Sequence, residues 1–301
     1  MHRCAIFCAK AGGAPWAAGH GRCTAKGCAR VTTHDRIRAR GTLTMATLII
    51  DPAERALLAR HGLDGFEALW EAGAVAVESP NVARGGTSQV GVLELGTGAG
   101  QRRYYLKRQR NFNCRTLRHW LRGIPLAERE WLGIQVLARI GIPTLDALCF
   151  GRDRRPGDDR ALLLTRALDD HLDLATWLAH TPAREPRERF AAAAGTLLGQ
   201  LHAAGWRHGC LYPKHLFVAR DAFPRDGAAS RDPAPLRLID LEKCKRTWSR
   251  WGGLRDLDTL FRHCPALDQE LRDTLLDAYS ARRGLGEERA ALARRIARSK
   301  G

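Results

Sequence analysis

Three separated strings carry side chains able to do chemistry together: YYLK ending at Lys107, HGCLYPKH from His208 to His215, and LIDLEK from Leu238 to Lys243. Phosphoryl transfer needs a lysine on the phosphates, a loop that receives the attacking hydroxyl and an acid that holds a divalent ion, and these residue types occur in that order. Asp240 follows the apolar Leu236, Leu238 and Ile239. Its carboxylate therefore emerges at a strand end, where it can coordinate magnesium bridging phosphates. Glu242 reads either as a second oxygen ligand or as a partner of Lys243 or Lys245, and pairing is the plainer reading. Lys107 closes a strand, within reach of nonbridging phosphate oxygens, and an inward acid on the next helix would hold it. Glu130 is that acid. A turn formed by Arg84, Gly85, Gly86, Thr87 and Ser88 offers backbone N–H groups and hydroxyls to phosphate, although hairpins of this composition are ordinary.

The seven-residue step from His208 to His215 equals that from the histidine to the metal-binding asparagine in the kinase catalytic-loop pattern H-R-D-L-x-x-x-N. In that register Gly209 stands at the arginine, His215 at the asparagine and Cys210 at the proton-accepting aspartate. A neutral thiol is a poor proton acceptor and a poor magnesium ligand. His208, Tyr212 and Pro213 read as loop structure, Lys214 as a phosphate contact and His215 as a hydrogen-bond partner of phosphate. Asp256 in LRDLDTL reads as a buried acid that braces the loop by accepting its backbone N–H groups.

These residues need a scaffold. Asp51 and Pro52 mark an N-cap and first-turn proline for a helix over Pro52–His61, followed by an amphipathic stretch at Gly65–Ala72 and an extended one at Ala74–Glu78. Alternation through Val90, Val92, Tyr104 and Leu106 predicts antiparallel strands joined by glycine turns. A helix from about Leu126 to Ile140 stops at Gly141 before Pro143; Glu130, Ile134 and Leu137 share its apolar stripe and Glu128 lies off it. Strands are expected at Leu148–Phe150 and Ala161–Thr165, split by the polar hairpin RDRRPGDD. Phe190, Ala194, Leu197, Leu198 and Leu201 recur at helical spacing ahead of the loop. Short strands are expected at Leu216–Ala219 and Leu236–Ile239, with a mobile Pro- and Gly-rich connection over Arg220–Pro235 between them, and helices from Leu254 to Lys300.

The 301 residues, 45% hydrophobic and 27% charged, describe a globular chain with room for two lobes, and no apolar run approaches the length of a membrane-spanning helix. A net charge of +17 calls for an anionic partner. Nucleic acid is one class that charge alone permits, but neither a recognised motif nor interleaved aromatics support it, so nucleic acid is not expected. Nine cysteines at irregular spacing, without a secretory signal ahead of them, argue against a disulfide framework and for a reducing cytoplasm. Residues 1–44 are Cys-rich and lack a period, whereas patterned sequence begins at Met45; they read as a non-native or disordered extension, with translation expected to start at Met45. Cys4, Cys8, Cys23 and Cys28 lack the compact pairing of a zinc knuckle. The stretch Arg102–Arg122 has eight Lys or Arg and no acid. Its Leu117, Trp120 and Leu121 against Arg115, Arg118 and Arg122 suggest either contact with an acidic membrane surface or a solvated helix.

The series ARGGTSQV, YYLKRQRNF, AEREWLGIQVLARIGIPT, HGCLYPKHLFV, LIDLEK and LRDL, spanning about Val82 to His263, resembles the lipopolysaccharide kinase (Kdo/WaaP-like) family of Gram-negative bacteria, and within it the InaA-like branch. The resemblance implies an α+β, protein-kinase-like two-lobed fold over residues 45–301, with a small antiparallel-sheet N-lobe at about 74–165 and a mainly helical C-lobe at about 166–301. It implies ATP and Mg2+ as cofactors, phosphorylation of a heptose or Kdo hydroxyl of the lipopolysaccharide core, and a cytoplasmic protein in peripheral contact with the inner membrane. By position, Lys107 would bind phosphates, Glu130 pair with it and Asp240 hold magnesium. Cys210 departs from the pattern, so a nucleotide-binding pseudokinase acting as an envelope or stress regulator is the alternative. Aminoglycoside-type kinases share the lobes but keep the loop aspartate.

Overall fold

The computed structural model describes residues 45–116, 119–121, 123–224, 234–285 and 288–298. The extension at 1–44 and most of the 220–235 connection lie outside these residues, as do Leu117, Arg118 and Arg122 of the basic stretch.

The first half is a sheet with helices on both faces. Strand β1 (Met45–Ile50) precedes α1 (Pro52–Arg60), α2 (Phe66–Glu71), β2 (Val75–Ala76), β3 (Asn81–Ala83), β4 (Gly86–Leu95), β5 (Arg102–Arg110), a small ladder of β6 (Asn113–Cys114) with β7 (Ile124–Pro125), α3 (Leu126–Arg139), β8 (Ala147–Arg155) and β9 (Asp158–Arg166). The antiparallel order is β1-β8-β9-β5-β4-β2, with β3 also on β4. Alternation decides what each face meets: Tyr104, Leu106, Leu162 and Leu164 pack with Leu58 of α1 and Leu69 of α2, whereas Ala161, Leu163 and Phe150 pack with Ile134 and Leu137 of α3. Lys107 lies between Leu106 and Arg108, on the α3 face.

Two features differ from the expectation. Residues Met45–Ile50 form an edge strand paired along its length with β8, where the sequence suggested no element. The polar hairpin RDRRPGDD is mostly strand, with only Pro156 and Gly157 left as the turn (Arg155 pairs Asp158, and Gly157 has φ 77). Its charges belong to the ladder. Asp153 and Arg160 are direct cross-strand partners 2.5 Å apart, and Arg152 grips Asp159 with two hydrogen bonds of 2.9 and 2.7 Å.

The second half begins with β10 (His171–Asp173), α4 (Leu174–His180) and the long α5 (Arg184–Ala203), whose expected apolar positions are all buried. Strand β11 (Trp206–Arg207) enters the loop of interest. After it come a 3-10 turn (Pro213–His215), β12 (Leu216–Ala219), β13 (Leu236–Leu238), a second 3-10 turn (Leu241–Lys243), β14 (Lys245–Arg246), α6 (Leu254–His263), α7 (Gln269–Arg283) and α8 (Arg289–Arg298). β10, β12 and β13 form one small sheet, β11 and β14 another. The halves are pinned beyond α3, where Thr144 donates from its hydroxyl to Leu238 O at 2.6 Å and Leu238 N donates to Pro143 O at 3.0 Å.

Candidate active site

α3 begins at Leu126 after Pro125 and ends at Gly141, whose φ of 70 lets the chain reverse, with Ile142 N returning to Leu137 O at 2.9 Å. Its inward stripe buries Glu130 to 4% exposure, and Lys107 forms an ion pair with it through a charge-assisted hydrogen bond. Glu128, off that stripe, pairs with Arg152 instead, at 2.7 Å.

The Lys107 ammonium responds to more than its partner. Burial pulls its pKa down, but the carboxylates of Glu130, Glu242 and Asp240 outweigh that and raise it. An acid 133 positions along the chain therefore lies within electrostatic reach of Lys107, across the junction of the two halves. Close packing at Gly133 of α3 explains the approach: a Cβ there would fall 2.8 Å from Leu241 Cβ and 3.1 Å from Leu241 O.

Asp240 sits in the left-handed region (φ 59, ψ 61), uncommon for a non-glycine residue. Backbone strain of this kind persists where surrounding contacts over-determine it. Asp240 Oδ2 lies 3.1 Å from His215 Nε2, while His215 Nδ1 donates to Cys210 O at 2.7 Å. Burial disfavours the charged imidazole, but contact with Cys210 and the charge of Asp240 prevail, and the pKa of His215 is raised. His208 stacks on His215 with centroids 5.9 Å apart and donates from Nε2 to Ile239 O at 2.9 Å. Its own pKa is lowered, first by burial, so it is held neutral as a loop histidine.

Asp256, at 1% exposure, accepts from the backbone N–H of His208 at 2.7 Å and of Gly209 at 2.8 Å. His202 meets the same carboxylate at 3.2 Å and is backed by Tyr279 OH at 3.0 Å. This is the bracing read for Asp256 in the sequence. Gly209 has φ 82, and a Cβ on it would fall 2.5 Å from Lys243 O, so the position that holds arginine in the kinase pattern here requires glycine.

Cys210 is buried at 7% exposure, and Lys243 donates to its Sγ at 3.5 Å. A thiol thus stands beside an ammonium at the position aligned by the kinase-loop pattern with its aspartate. Lys214 is half-buried in the 3-10 turn ahead of His215.

The glycine turn lies farther along the same ladder. Arg84 (φ 58) and Gly85 (φ 76) form a two-residue hairpin between β3 and β4, and Gly86 is required because a Cβ there would fall 2.2 Å from Arg110 O. Lys107 pairs with Val90 and Arg110 with Thr87, which puts Thr87 about 10 Å and the Arg84–Gly85 turn about 17 Å along the ladder from the lysine. Ser88 accepts from Gln109 Nε2 at 3.1 Å, and Gln109 Oε1 accepts Ala127 N at 2.7 Å, joining this hairpin to the start of α3. Neither Gln109 nor Gly133 carries a local sequence signal of these contacts, and Lys243 reads in the sequence only as a partner of Glu242.

Glu242 also belongs to the cluster. Burial first, then Asp240, raise its carboxyl pKa against the opposing pull of Lys107. Glu130, Asp240 and Glu242 all act on Lys107, and Lys243 acts on Glu242 as well. Among the described residues no three His, Cys, Asp or Glu side chains form a metal cluster. Asp240 and Glu242 are carboxylates of the oxygen-donor type that magnesium takes together with phosphate and water.

Some cations of the basic stretch meet internal partners, although Arg102, Arg103, Arg110 and Arg115 are exposed. Arg103 pairs with Asp169, Lys107 with Glu130 and Arg110 with Asp158, while Arg108 donates to Ala72 O. Trp120 and Leu121 remain exposed, at 66% and 69%. No helix of the described residues is long and apolar enough to cross a membrane.

A profile of the lipopolysaccharide kinase (Kdo/WaaP) family matches residues 67–279. Protein InaA of Escherichia coli is 26% identical over 216 residues, covering 69% of this chain and 93% of that protein. The lipopolysaccharide core heptose(I) kinase WaaP of Pseudomonas aeruginosa is 26% identical over 157 residues, half of this chain and 56% of the kinase. The corresponding Escherichia coli kinase is 25% identical over 142 residues, covering 44% of this chain and 51% of the kinase. The chain thus spans about half the length of these two heptose kinases. A solved structure of WaaP in complex with acyl carrier protein matches with a TM-score of 0.58 at 22% identity, over 84% of this chain and 97% of that one. The fold is protein-kinase-like, and the chain belongs to the lipopolysaccharide kinase (Kdo/WaaP) family.

Proposed function

We propose that the chain is an ATP- and magnesium-dependent kinase that phosphorylates a sugar hydroxyl, heptose or Kdo, of the lipopolysaccharide inner core. One observation carries the reading: the buried Lys107–Glu130 pair sits in the field of Asp240 and Glu242, acids delivered from the other half of the molecule. In this reading Lys107 meets the nonbridging oxygens of the nucleotide, held in place by Glu130. Asp240 holds the ion, supported by Glu242, and His215 orients Asp240. Gly85, Gly86, Ser88 and Lys214 complete the phosphate surroundings. When bound, the ion neutralises and orients the transferring phosphoryl group.

Asp256 fixes the loop across which the acceptor hydroxyl attacks in line. Cys210 supplies no carboxylate there, and loss of general-base assistance slows such a transfer by about 10²- to 10⁴-fold without abolishing nucleotide binding. The two lobes meet near residue 166, with residues 45–73 on the N-lobe. Exposed Trp120 and Leu121 are the proposed contact with the cytoplasmic face of the inner membrane.

Incubation with labelled ATP and dephosphorylated core oligosaccharide tests the proposal. Transfer that disappears in Asp240→Asn supports it. The second reading, a nucleotide-sensing pseudokinase, is favoured by the thiol and ammonium at the proton-acceptor position. Its signature is a magnesium-ATP-dependent rise in melting temperature with no transfer to any core acceptor.

A further inference from the structure

Arg152, Arg160, Arg166, Arg184 and Arg289 are each in ion pairs with acids. Four cations beside the candidate site are not. Among the described residues Arg129, Arg207, Lys245 and Arg255 form no ion pair, and Arg129 donates only to Cys114 Sγ at 3.3 Å. Each adjoins a residue of the candidate site: Arg129 precedes Glu130, Arg207 precedes His208, Lys245 lies two residues after Lys243, and Arg255 precedes Asp256.

Topology brings them together. In the β11–β14 ladder Arg207 stands directly opposite Lys245, a like-charge cross-strand pair that is unfavourable unless an anion joins it. Arg207 Nε is buried without a hydrogen-bond partner. The Lys245 ammonium is pushed below its ordinary pKa by Arg207 foremost, then by burial, then by Arg129 and Arg255, with no acid opposing them. Arg129 also acts on Cys244, the residue between Lys243 and Lys245. α3, β11 and α6 therefore each bring an arginine within electrostatic reach of Lys245 on β14.

We propose that Arg129, Arg207, Lys245 and Arg255 form a binding site for a phosphate dianion, separate from the nucleotide cluster. Guanidinium forks suit phosphate oxygens, and three arginines with a lysine supply enough charge to hold a dianion at a partly exposed surface. An occupant touching both Arg129 and Arg207 ties the helix of Glu130 to the loop of Cys210. That coupling rests on the proposed function; the binding itself does not. The phosphate belongs either to a diffusing phosphate monoester or to a modified Thr247 or Ser249 on the adjoining segment.

The test titrates inorganic phosphate into the full chain at constant ionic strength and follows melting temperature. A saturable rise of about 3–5 °C at tenfold excess over half-saturation is expected. Arg207→Gln/Lys245→Gln should abolish the rise. Arg207→Lys/Lys245→Arg should retain it, as should the charge-matched control Arg60→Gln/Arg139→Gln. Absence of the rise, an equal rise with chloride, or its persistence in Arg207→Gln/Lys245→Gln overturns the proposal. Intact-mass measurement separates the sources: unmodified protein with a phosphate response indicates a diffusing ligand. Phosphate mass on the Thr247–Ser249 peptide, with a response that appears only after phosphatase treatment, indicates the covalent source.

Discussion

The two sides of the cleft are finished to different degrees. Around Lys107, each charge has a counterpart or is positioned to meet a ligand: Glu130 on the next helix, with Asp240 and Glu242 opposite. Around Cys210 the scaffold is equally well made, with Asp256 gripping two backbone N–H groups, yet the side chain at its centre is a thiol beside Lys243. In the proposed function, binding a phosphate chain and receiving a proton are separable, because the first would depend on charges from both halves and the second on a single side chain.

Changes on each side can break or sharpen that contrast. The largest expected effect is a gain: Cys210→Asp puts a carboxylate where the scaffold already presents one position, and phosphoryl transfer to core oligosaccharide should rise about 10²- to 10⁴-fold. No gain in a folded variant that binds nucleotide would locate the deficiency elsewhere. Lys107→Met strands a buried carboxylate, so a loss of about 3–5 kcal/mol in urea unfolding is expected along with loss of the ATP-dependent rise in melting temperature.

Asp256→Asn should cost about 1.5–3 kcal/mol through weakened hydrogen bonds to His208 and Gly209. It also has a pH signature. Burial raises the Asp256 pKa but the His202 contact and the loop N–H groups prevail, leaving it below the ordinary carboxylate value. Its stabilisation is therefore present above the unfolded value of about 3.9 and is lost as pH falls through the lower folded value, so unfolding midpoints of wild type and variant should converge in acid.

Gly133→Ala forces α3 away from Leu241, and about 1–3 kcal/mol of destabilisation with weaker nucleotide binding should follow. Ser88→Ala removes one acceptor for Gln109 in a half-buried position; a stability change of about 1 kcal/mol or less, with nucleotide binding retained, is the expected result. A large loss of nucleotide binding would instead show that the hydroxyl meets phosphate.

Much of this was readable from local pattern. Glu130 was assigned inward because it shares a 3.6-residue stripe with Ile134 and Leu137, and the helix was bounded by Gly141 and Pro143. The stop at Asp240 followed from an apolar strand giving way to an acid. Charge runs were less legible, since a sequence does not say which cation meets which acid. RDRRPGDD reads as a polar hairpin splitting two strands, but all of it except Pro156 and Gly157 belongs to those strands, with charges paired across the ladder, and four cations of the Arg102–Arg110 strand are taken up by contacts distant in sequence.

The amino-acid order by itself determined most of the elements, though not the edge strand Met45–Ile50, and the inward acid of α3, because those depend on periodicity and on side-chain chemistry over a few positions. Tertiary structure decided that Lys107 and Asp240 share one electrostatic field, that Gly133 must be glycine, that Lys243 faces Cys210 and that Arg207 stands opposite Lys245 without an acid. Coulomb interaction and steric contact depend on separation in space, and that separation is set only when the two halves pack.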